Sequence, residues 1–206
     1  MIERISLYSD YKSPYAYLVK DLAYKLEDET GVALDWLPYT LDIPSYLGSA
    51  KLGPDGAVLE QDRTEHQWRR VKYSYMDVRR YANLRGLTVR GTQKIWDSSL
   101  AAIGMLWAKR REKALFRRYH DIVFERFWKR ELDIEDPAVI RSVMVEAGIA
   151  ADGFGDFLEG EGQVEHNRIR AEAETAGVFG VPTFVVDGEL FWGREHLPLI
   201  RSRLEQ

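Results

Sequence analysis

The first 38 residues carry a strand–helix–strand pattern, which constrains the fold more than any other feature of the sequence. Residues 3–9 alternate polar and apolar side chains, as a short strand does. Ser13 followed by Pro14 is a strong start signal for a helix, and Gly31 is typical of a helix end. Residues 32–37 form a second strand pattern. A helix that connects two neighbouring strands predicts that the strands pair in parallel.

The middle of the chain, residues 39–162, contains helical patterns and no predicted strand. Apolar residues recur there at steps of three and four, which is the spacing of an amphipathic helix. The predicted helices cover residues 61–85, 98–107, 115–127 and 137–148. We therefore predict an all-helical insertion between the second and third strands.

The C-terminal segment returns to the sheet. A helix is predicted over residues 164–176, strands over 184–186 and 189–192, and a last helix over 195–204. Asp187-Gly188 between the two apolar runs predicts a tight hairpin. The step Val181-Pro182 stands just before the third strand.

The order of these elements predicts an α/β protein with a thioredoxin-like fold. Residues 1–38 and 163–206 are expected to form the thioredoxin-like domain. Residues 39–162 are expected to form the helical domain inserted into it.

Composition excludes several classes of function. The net charge of −4 gives no reason to expect a nucleic-acid partner, and no apolar run is long enough to span a membrane, so cytoplasmic residence is expected. The sequence contains no cysteine, which excludes disulfides, thiolate metal sites and a cysteine nucleophile. The four histidines show no metal-ligand spacing, and no metal site is predicted.

Three groups of residues resemble a known family. They are Ser13-Pro14-Tyr15-Ala16-Tyr17-Leu18, then Tyr73, Asp77, Arg80 and Ala82, then residues 177–184 (Gly-Val-Phe-Gly-Val-Pro-Thr-Phe) with Phe191-Trp192-Gly193. Together they resemble the 2-hydroxychromene-2-carboxylate isomerases, which are related to kappa-class glutathione transferases and to the DsbA oxidoreductases. The resemblance covers essentially the whole chain in order and spacing.

The resemblance implies an enzyme that uses glutathione as its cofactor. Ser13 stands where disulfide oxidoreductases place their first cysteine, and its hydroxyl would hold the glutathione sulfur as a thiolate. The start of a helix favours this independently, because its free N–H groups and dipole stabilise an anion. Pro14 would lie beside this site. The plainer alternative is that Ser13 only caps the helix.

The resemblance also assigns residues near the C-terminus to glutathione. Pro182 is implied to follow a cis peptide bond, so that the backbone of Val181 could pair with the cysteinyl backbone of glutathione. Arg194 and Glu195 would complete the site, since relatives carry an acid at the position of Glu195 that binds the γ-glutamyl amine. His196 departs from the arginine common there. Charge compensation at a helix start is an equal alternative for Glu195.

A small aromatic substrate is the expected second partner. Its pocket should lie between Ser13 and the helical insertion, and the residues predicted to line it are Tyr11, Trp68, Tyr73, Trp96 and Trp192. Core packing is the alternative for each of these aromatic side chains. Asp77 and Arg80 are three residues apart on one helix, which favours an ion pair between them.

Two further functions remain open from the sequence. A kappa-like glutathione transferase would release a conjugate in place of an isomer. A thioredoxin-fold binding protein would have no catalysis at all. A homodimer is also possible, because dimers are common among relatives.

Overall fold

The computed structural model describes residues 4–205, so that Glu3, the first residue of the predicted strand, and Gln206 lie outside the described residues. The elements in chain order are β1 (Arg4–Ser9), α1 (Pro14–Thr30), β2 (Ala33–Pro38), α2 (Ile43–Leu47), β3 (Ala50–Leu52), β4 (Val58–Gln61), α3 (Glu65–Leu84), α4 (Ser99–Lys109), α5 (Lys113–Trp128), α6 (Pro137–Glu146), α7 (Phe154–Glu159), α8 (Glu161–Thr175), β5 (Thr183–Val186), β6 (Glu189–Trp192) and α9 (Leu197–Leu204). A single 3-10 turn, Arg194–His196, precedes α9.

The central sheet has four strands in the order β2-β1-β5-β6. β1 pairs in parallel with β2, as the crossover helix predicts, and antiparallel with β5. β5 and β6 form an antiparallel hairpin. Strand β1 is therefore central, and its carboxyl end leads directly into the start of α1. This arrangement confirms the predicted thioredoxin-like fold.

Helix α1 begins and ends where the sequence predicts. The Oγ atom of Ser13 accepts a hydrogen bond of 3.2 Å from the backbone N–H of Ala16, and Pro14 occupies the first turn. Gly31 ends the helix in the left-handed conformation with φ +74°, which a glycine adopts without steric cost. The N-terminus of α1 is thereby fixed at the end of the central strand.

The insertion is not all helical, which corrects the prediction. β3 and β4 form a two-stranded antiparallel sheet, and α2 and α7 are further elements that were not predicted. All of Val58–Gln61 is exposed, so the strand has no buried face and shows no alternation of apolar and polar residues. Because β4 extends to Gln61, α3 begins later than predicted, after a capping box at Thr64 and Gln67.

One continuous apolar core joins the sheet to the insertion. It includes Ile5, Leu7 and Phe184 from the sheet, and Phe124 and Trp128 from α5. The division into two domains therefore stays an interpretation of the sequence. No helix within residues 4–205 combines the length and the apolar character that crossing a membrane requires.

The β5–β6 turn supports a stability prediction. Asp187 and Gly188 both have positive φ, +50° and +80°, which confirms the tight hairpin turn. A Cβ on Gly188 would meet no atom within 4 Å, so Gly188→Ala tests backbone conformation alone. We expect it to lower the free energy of unfolding by about 1–2 kcal/mol in urea titrations. Gly155→Ala, inside α7, is the matched control and should be neutral or stabilising. Equal losses in the two variants would contradict the prediction.

Candidate active site

Ser13 lies buried at the junction of β1 and α1. Its Oγ accepts the N–H of Ala16 and lies 3.4 Å from the carbonyl oxygen of Val181. The first contact confirms that Ser13 caps the helix. The second is longer than an ordinary O–H···O hydrogen bond, so the hydroxyl hydrogen has no strong acceptor. A hydroxyl can accept and donate at once, and Ser13 therefore retains donor capacity for a ligand.

The segment opposite Ser13 offers a short backbone edge. The Val181-Pro182 peptide bond is cis, as the resemblance implies. The carbonyl oxygen of Pro182 accepts the N–H of Gly193 at 2.9 Å, which ties this segment to the end of β6. Within residues 4–205, neither the N–H nor the C=O of Val181 has a backbone hydrogen-bond partner. Both groups can therefore pair with an extended peptide.

A cleft of roughly 1570 Å³ opens in front of this segment. One wall, which we call the sheet side, contains Ser13, Val181 and Arg194; the other, the insertion side, consists of lining residues from 41–47, 63–75 and 92–96. The structure brings to the cleft nine of the residues predicted for the site: Ser13, Pro14, Tyr73, Trp96, Val181, Pro182, Trp192, Arg194 and Glu195. Pockets for one small ligand measure about 300–1,000 Å³, so this cleft has room for two ligands.

Tyr11 and Trp68 do not line the cleft, and their prediction as substrate residues is corrected. The Tyr11 side chain is 2% exposed and packs in the core, where its hydroxyl lies 2.8 Å from Nδ1 of His120. The Trp68 indole N–H donates to Gln61, and the Arg63 guanidinium covers its ring at 4.9 Å. Tyr11 follows a strand and Trp68 lies on a helix, but these positions alone do not determine whether an aromatic side chain faces the cleft.

The core position of Tyr11 gives a second prediction. Tyr11→Phe removes the hydrogen bond to the buried His120, and we expect a loss of about 1–3 kcal/mol in the free energy of unfolding. Ligand binding should not change, because the Tyr11 side chain is buried in the core and is not part of the cleft lining. Urea titration and calorimetry with glutathione measure the two effects. Tyr73→Phe, at a cleft residue that is 57% exposed, is the control and should leave stability unchanged. Loss of glutathione affinity in Tyr11→Phe would contradict this assignment.

Arg194 lies in the cleft wall and has no acidic partner in the part of the chain that the structure describes. Its guanidinium carbon stacks 3.5 Å from the centre of the Tyr81 ring. Its Nη1 atom is buried and, within residues 4–205, has no hydrogen-bond partner. A buried guanidinium N–H without an acceptor is costly, and an anionic ligand would supply the acceptor.

Glu195 is held close to the backbone that precedes it. Gly193 has φ +108°, and a Cβ at this position would clash with the Glu195 carboxylate. Glycine suits this conformation, and any larger residue would have to displace the Glu195 carboxylate. Glu195 forms no ion pair among residues 4–205. Its carboxylate is therefore available to bind a ligand amine, and it is equally placed to compensate the positive end of the helix dipole. His196 packs against Phe191 at 5.9 Å and is not part of the cleft lining.

Asp77 connects α3 to the start of α1. Its carboxylate forms a 3.0 Å ion pair with Arg80, which confirms the predicted intrahelical pair. The Tyr15 hydroxyl donates to Asp77 at 3.3 Å. Burial and the charge of Asp77 raise the pKa of Tyr15 to about 12, so that its phenol remains protonated at neutral pH. This contact holds α3 beside the cleft.

Basic side chains outnumber acidic ones in the cleft lining, and three of them, Lys25, Lys94 and Arg201, pair with Glu29 or Glu135 outside it. Two of its lining residues are acidic, Asp77 and Glu195, and seven are basic: Lys12, Lys25, Arg63, Arg70, Lys94, Arg194 and Arg201. Lys12, Arg63 and Arg70 were not among the residues predicted for the site. Lys12 was detectable as the neighbour of Ser13. The arginines gave no signal, because their meeting with Ser13 depends on how the insertion folds. The excess of positive charge favours anionic ligands.

Residues 4–205 match the DSBA-like thioredoxin domain. The chain belongs to this family. Among its relatives, a 2-hydroxychromene-2-carboxylate isomerase of Sphingobium xenophagum is 27% identical over 208 residues, covering 99% of each chain. The family resemblance drawn from the sequence is thereby confirmed.

Solved structures show the same fold as this DsbA-like chain. A 2-hydroxychromene-2-carboxylate isomerase superposes with a TM-score of 0.73 at 20% identity, covering 98% of this chain and 94% of the other. The cytosolic disulfide reductase DsbM from Pseudomonas aeruginosa, in a structure with GSH, gives a TM-score of 0.66 at 16% identity over 98% and 97% of the two chains. At these identities the likeness concerns the fold.

Proposed function

We propose that this protein is a glutathione-dependent isomerase of the 2-hydroxychromene-2-carboxylate isomerase type, which acts on an intermediate of aromatic-compound degradation. The observation that carries the proposal is the position of Ser13. Its hydroxyl faces a large basic cleft at the N-terminus of α1, in a chain that has no cysteine of its own. The names of the relatives and the GSH in the DsbM structure support the same assignment.

The residues present fit glutathione, a tripeptide that carries two carboxylates and one amine. The N–H and C=O of Val181, which have no backbone partner among residues 4–205, would bind its cysteinyl residue as an added strand. Arg194 would bind a carboxylate, since its buried Nη1 has no acceptor among residues 4–205. Glu195 would bind the amine. Pro14 would contact the cysteinyl side chain at the start of α1.

In this proposal Ser13 donates a hydrogen bond to the sulfur, and the N-terminus of α1 lowers the free energy of the thiolate. These effects contribute about 0.3–1 kcal/mol from the helix dipole and about 1.5–3 kcal/mol from a hydrogen bond to a charged group. When bound, glutathione supplies a nucleophile that adds reversibly to a conjugated substrate and leaves unchanged after a bond has rotated. Tyr73, Trp96 and Trp192 would hold the flat substrate against the sulfur. Cytoplasmic residence and a homodimer stay predictions.

The test is turnover of 2-hydroxychromene-2-carboxylate with and without glutathione, followed by mass analysis of the product. We expect turnover that requires glutathione and a product with the mass of the substrate. A product heavier by one glutathione would indicate a kappa-like transferase and contradict the isomerase assignment. No binding of glutathione at millimolar concentration by calorimetry would contradict both enzymes and favour a binding protein.

A further inference from the structure

Lys12 is a buried cation beside Ser13 to which the proposed mechanism gives no role. Its side chain is 6% exposed, yet the residue forms part of the cleft lining. The Nζ atom lies 3.9 Å from Oδ2 of Asp10, which is too long for a hydrogen bond. Within residues 4–205 the ammonium has no hydrogen-bond acceptor. A buried ammonium in this situation favours an anionic ligand.

The Asp10 carboxylate lies beside the Lys12 ammonium but forms no hydrogen bond with it. Its carboxylate accepts the backbone N–H groups of Lys12 at 3.1 Å and of Leu41 at 2.8 Å. Burial raises the pKa of Asp10, and the charge of Lys12 is the largest opposing influence. Because Nζ lies 3.9 Å from the nearer carboxylate oxygen and donates no hydrogen bond to it, the ammonium keeps donor capacity for a further acceptor.

The Lys12 side chain points toward the insertion side of the cleft. Leu41, whose backbone N–H donates to the same Asp10 carboxylate that lies beside the ammonium, belongs to that side. Burial raises the pKa of Asp97, but hydrogen bonds from Ser99 and the charge of Lys12 outweigh it, and the pKa is lowered. Asp97 follows Trp96, which lines the insertion side of the cleft. Val181 and Arg194, the residues proposed to hold glutathione, lie on the sheet side.

We propose that the ammonium of Lys12 binds the carboxylate of the aromatic substrate and thereby orients it beside Ser13. The proposal rests on the proposed function, because it needs glutathione on the sheet side. One ammonium with an acid 3.9 Å away suits a monoanion such as a carboxylate better than a dianion. Lys12 is thus assigned as the specificity-determining residue of the second ligand.

The test compares two inert probes, chromone-2-carboxylate and its neutral analogue chromone-2-carboxamide. Their affinities are measured by calorimetry, alone and with S-methylglutathione in excess. Lys12→Met by itself leaves the buried Asp10 without a cation and could impair folding. The informative pair is therefore Asp10→Asn and Asp10→Asn/Lys12→Met, which differ only in the ammonium.

We expect Asp10→Asn to bind the carboxylate about tenfold or more tightly than the carboxamide, as one hydrogen bond to a charged group implies. In the double variant the two probes should bind equally. A carboxylate preference that persists within twofold in the double variant would overturn the proposal. An equal loss of affinity for both probes in the double variant would also overturn the proposal.

A second measurement separates this role from a role at the thiol. The pKa of glutathione bound to each variant is followed by the ultraviolet absorbance of the thiolate. We expect the same value in both variants, and a higher value without Lys12 would assign the lysine to the sulfur and reject the proposal. Failure of S-methylglutathione to bind would contradict the proposed function, while the comparison of probes alone would still test Lys12.

Discussion

Ser13→Ala is expected to lower glutathione-dependent kcat/KM by about ten- to a hundredfold. The variant removes a hydrogen bond to a charged sulfur, which contributes about 1.5–3 kcal/mol, and each 1.4 kcal/mol is a factor of ten in rate. The thiol of bound glutathione should titrate at a higher pKa, because its thiolate loses a donor. Initial rates and the ultraviolet absorbance of the thiolate measure these two effects.

The control must separate the hydroxyl from the helix cap, since Ser13 serves both roles. Alanine at an N-cap costs about 0.5–2 kcal/mol of stability, whereas glycine costs a few tenths. Ser13→Gly should therefore lose activity as Ser13→Ala does, with less loss of stability. Asp136 caps α6 by accepting the N–H of Ala138 at 2.8 Å, so Asp136→Ala removes a cap elsewhere and should keep full activity. Activity within twofold of wild type in Ser13→Gly would refute a role at sulfur.

Arg194→Gln should weaken glutathione binding by about ten- to a hundredfold. The guanidinium would bind a carboxylate of the tripeptide through its positive charge and through Nη1, which has no acceptor among residues 4–205. Losing such a charge-assisted hydrogen bond costs about 1.5–3 kcal/mol of binding free energy. The effect should appear in the dissociation constant from calorimetry more than in kcat, because Arg194 does not touch the reacting atoms.

Arg203, which pairs with Glu189 at 2.6 Å, provides a control for Arg194 outside the cleft. It also stacks on an aromatic ring, with its guanidinium carbon 4.9 Å from the centre of Phe191, but it is not part of the cleft lining. Arg203→Gln should bind glutathione as the wild type does. Equal loss of affinity in both variants would indicate a general effect on folding and would count against a direct contact by Arg194.

The local signals in the sequence predicted the parts of the fold that local chemistry determines. Ser13-Pro14 and Gly31 define the ends of α1 because caps depend on neighbouring backbone groups. Asp187-Gly188 predicted the hairpin because both positions adopt positive φ. The sheet followed from the order of these elements.

Features that depend on tertiary contacts could not be predicted in this way. The exposed hairpin β3–β4 has no buried face and therefore no hydrophobic period. Tyr11 precedes Ser13 by two residues, yet its ring turns into the core toward His120 and not into the cleft. The basic character of the cleft could not be predicted, because Lys12 and Arg63 belong to distant segments that meet only when the insertion folds.

The most direct test of the account is a structure of the protein with glutathione bound. We expect the sulfur within hydrogen-bond distance of Ser13 Oγ, with the cysteinyl backbone paired to Val181. We also expect a carboxylate of the tripeptide against Arg194. A glutathione molecule bound with its sulfur on the insertion side of the cleft, away from Ser13, would contradict the central claim.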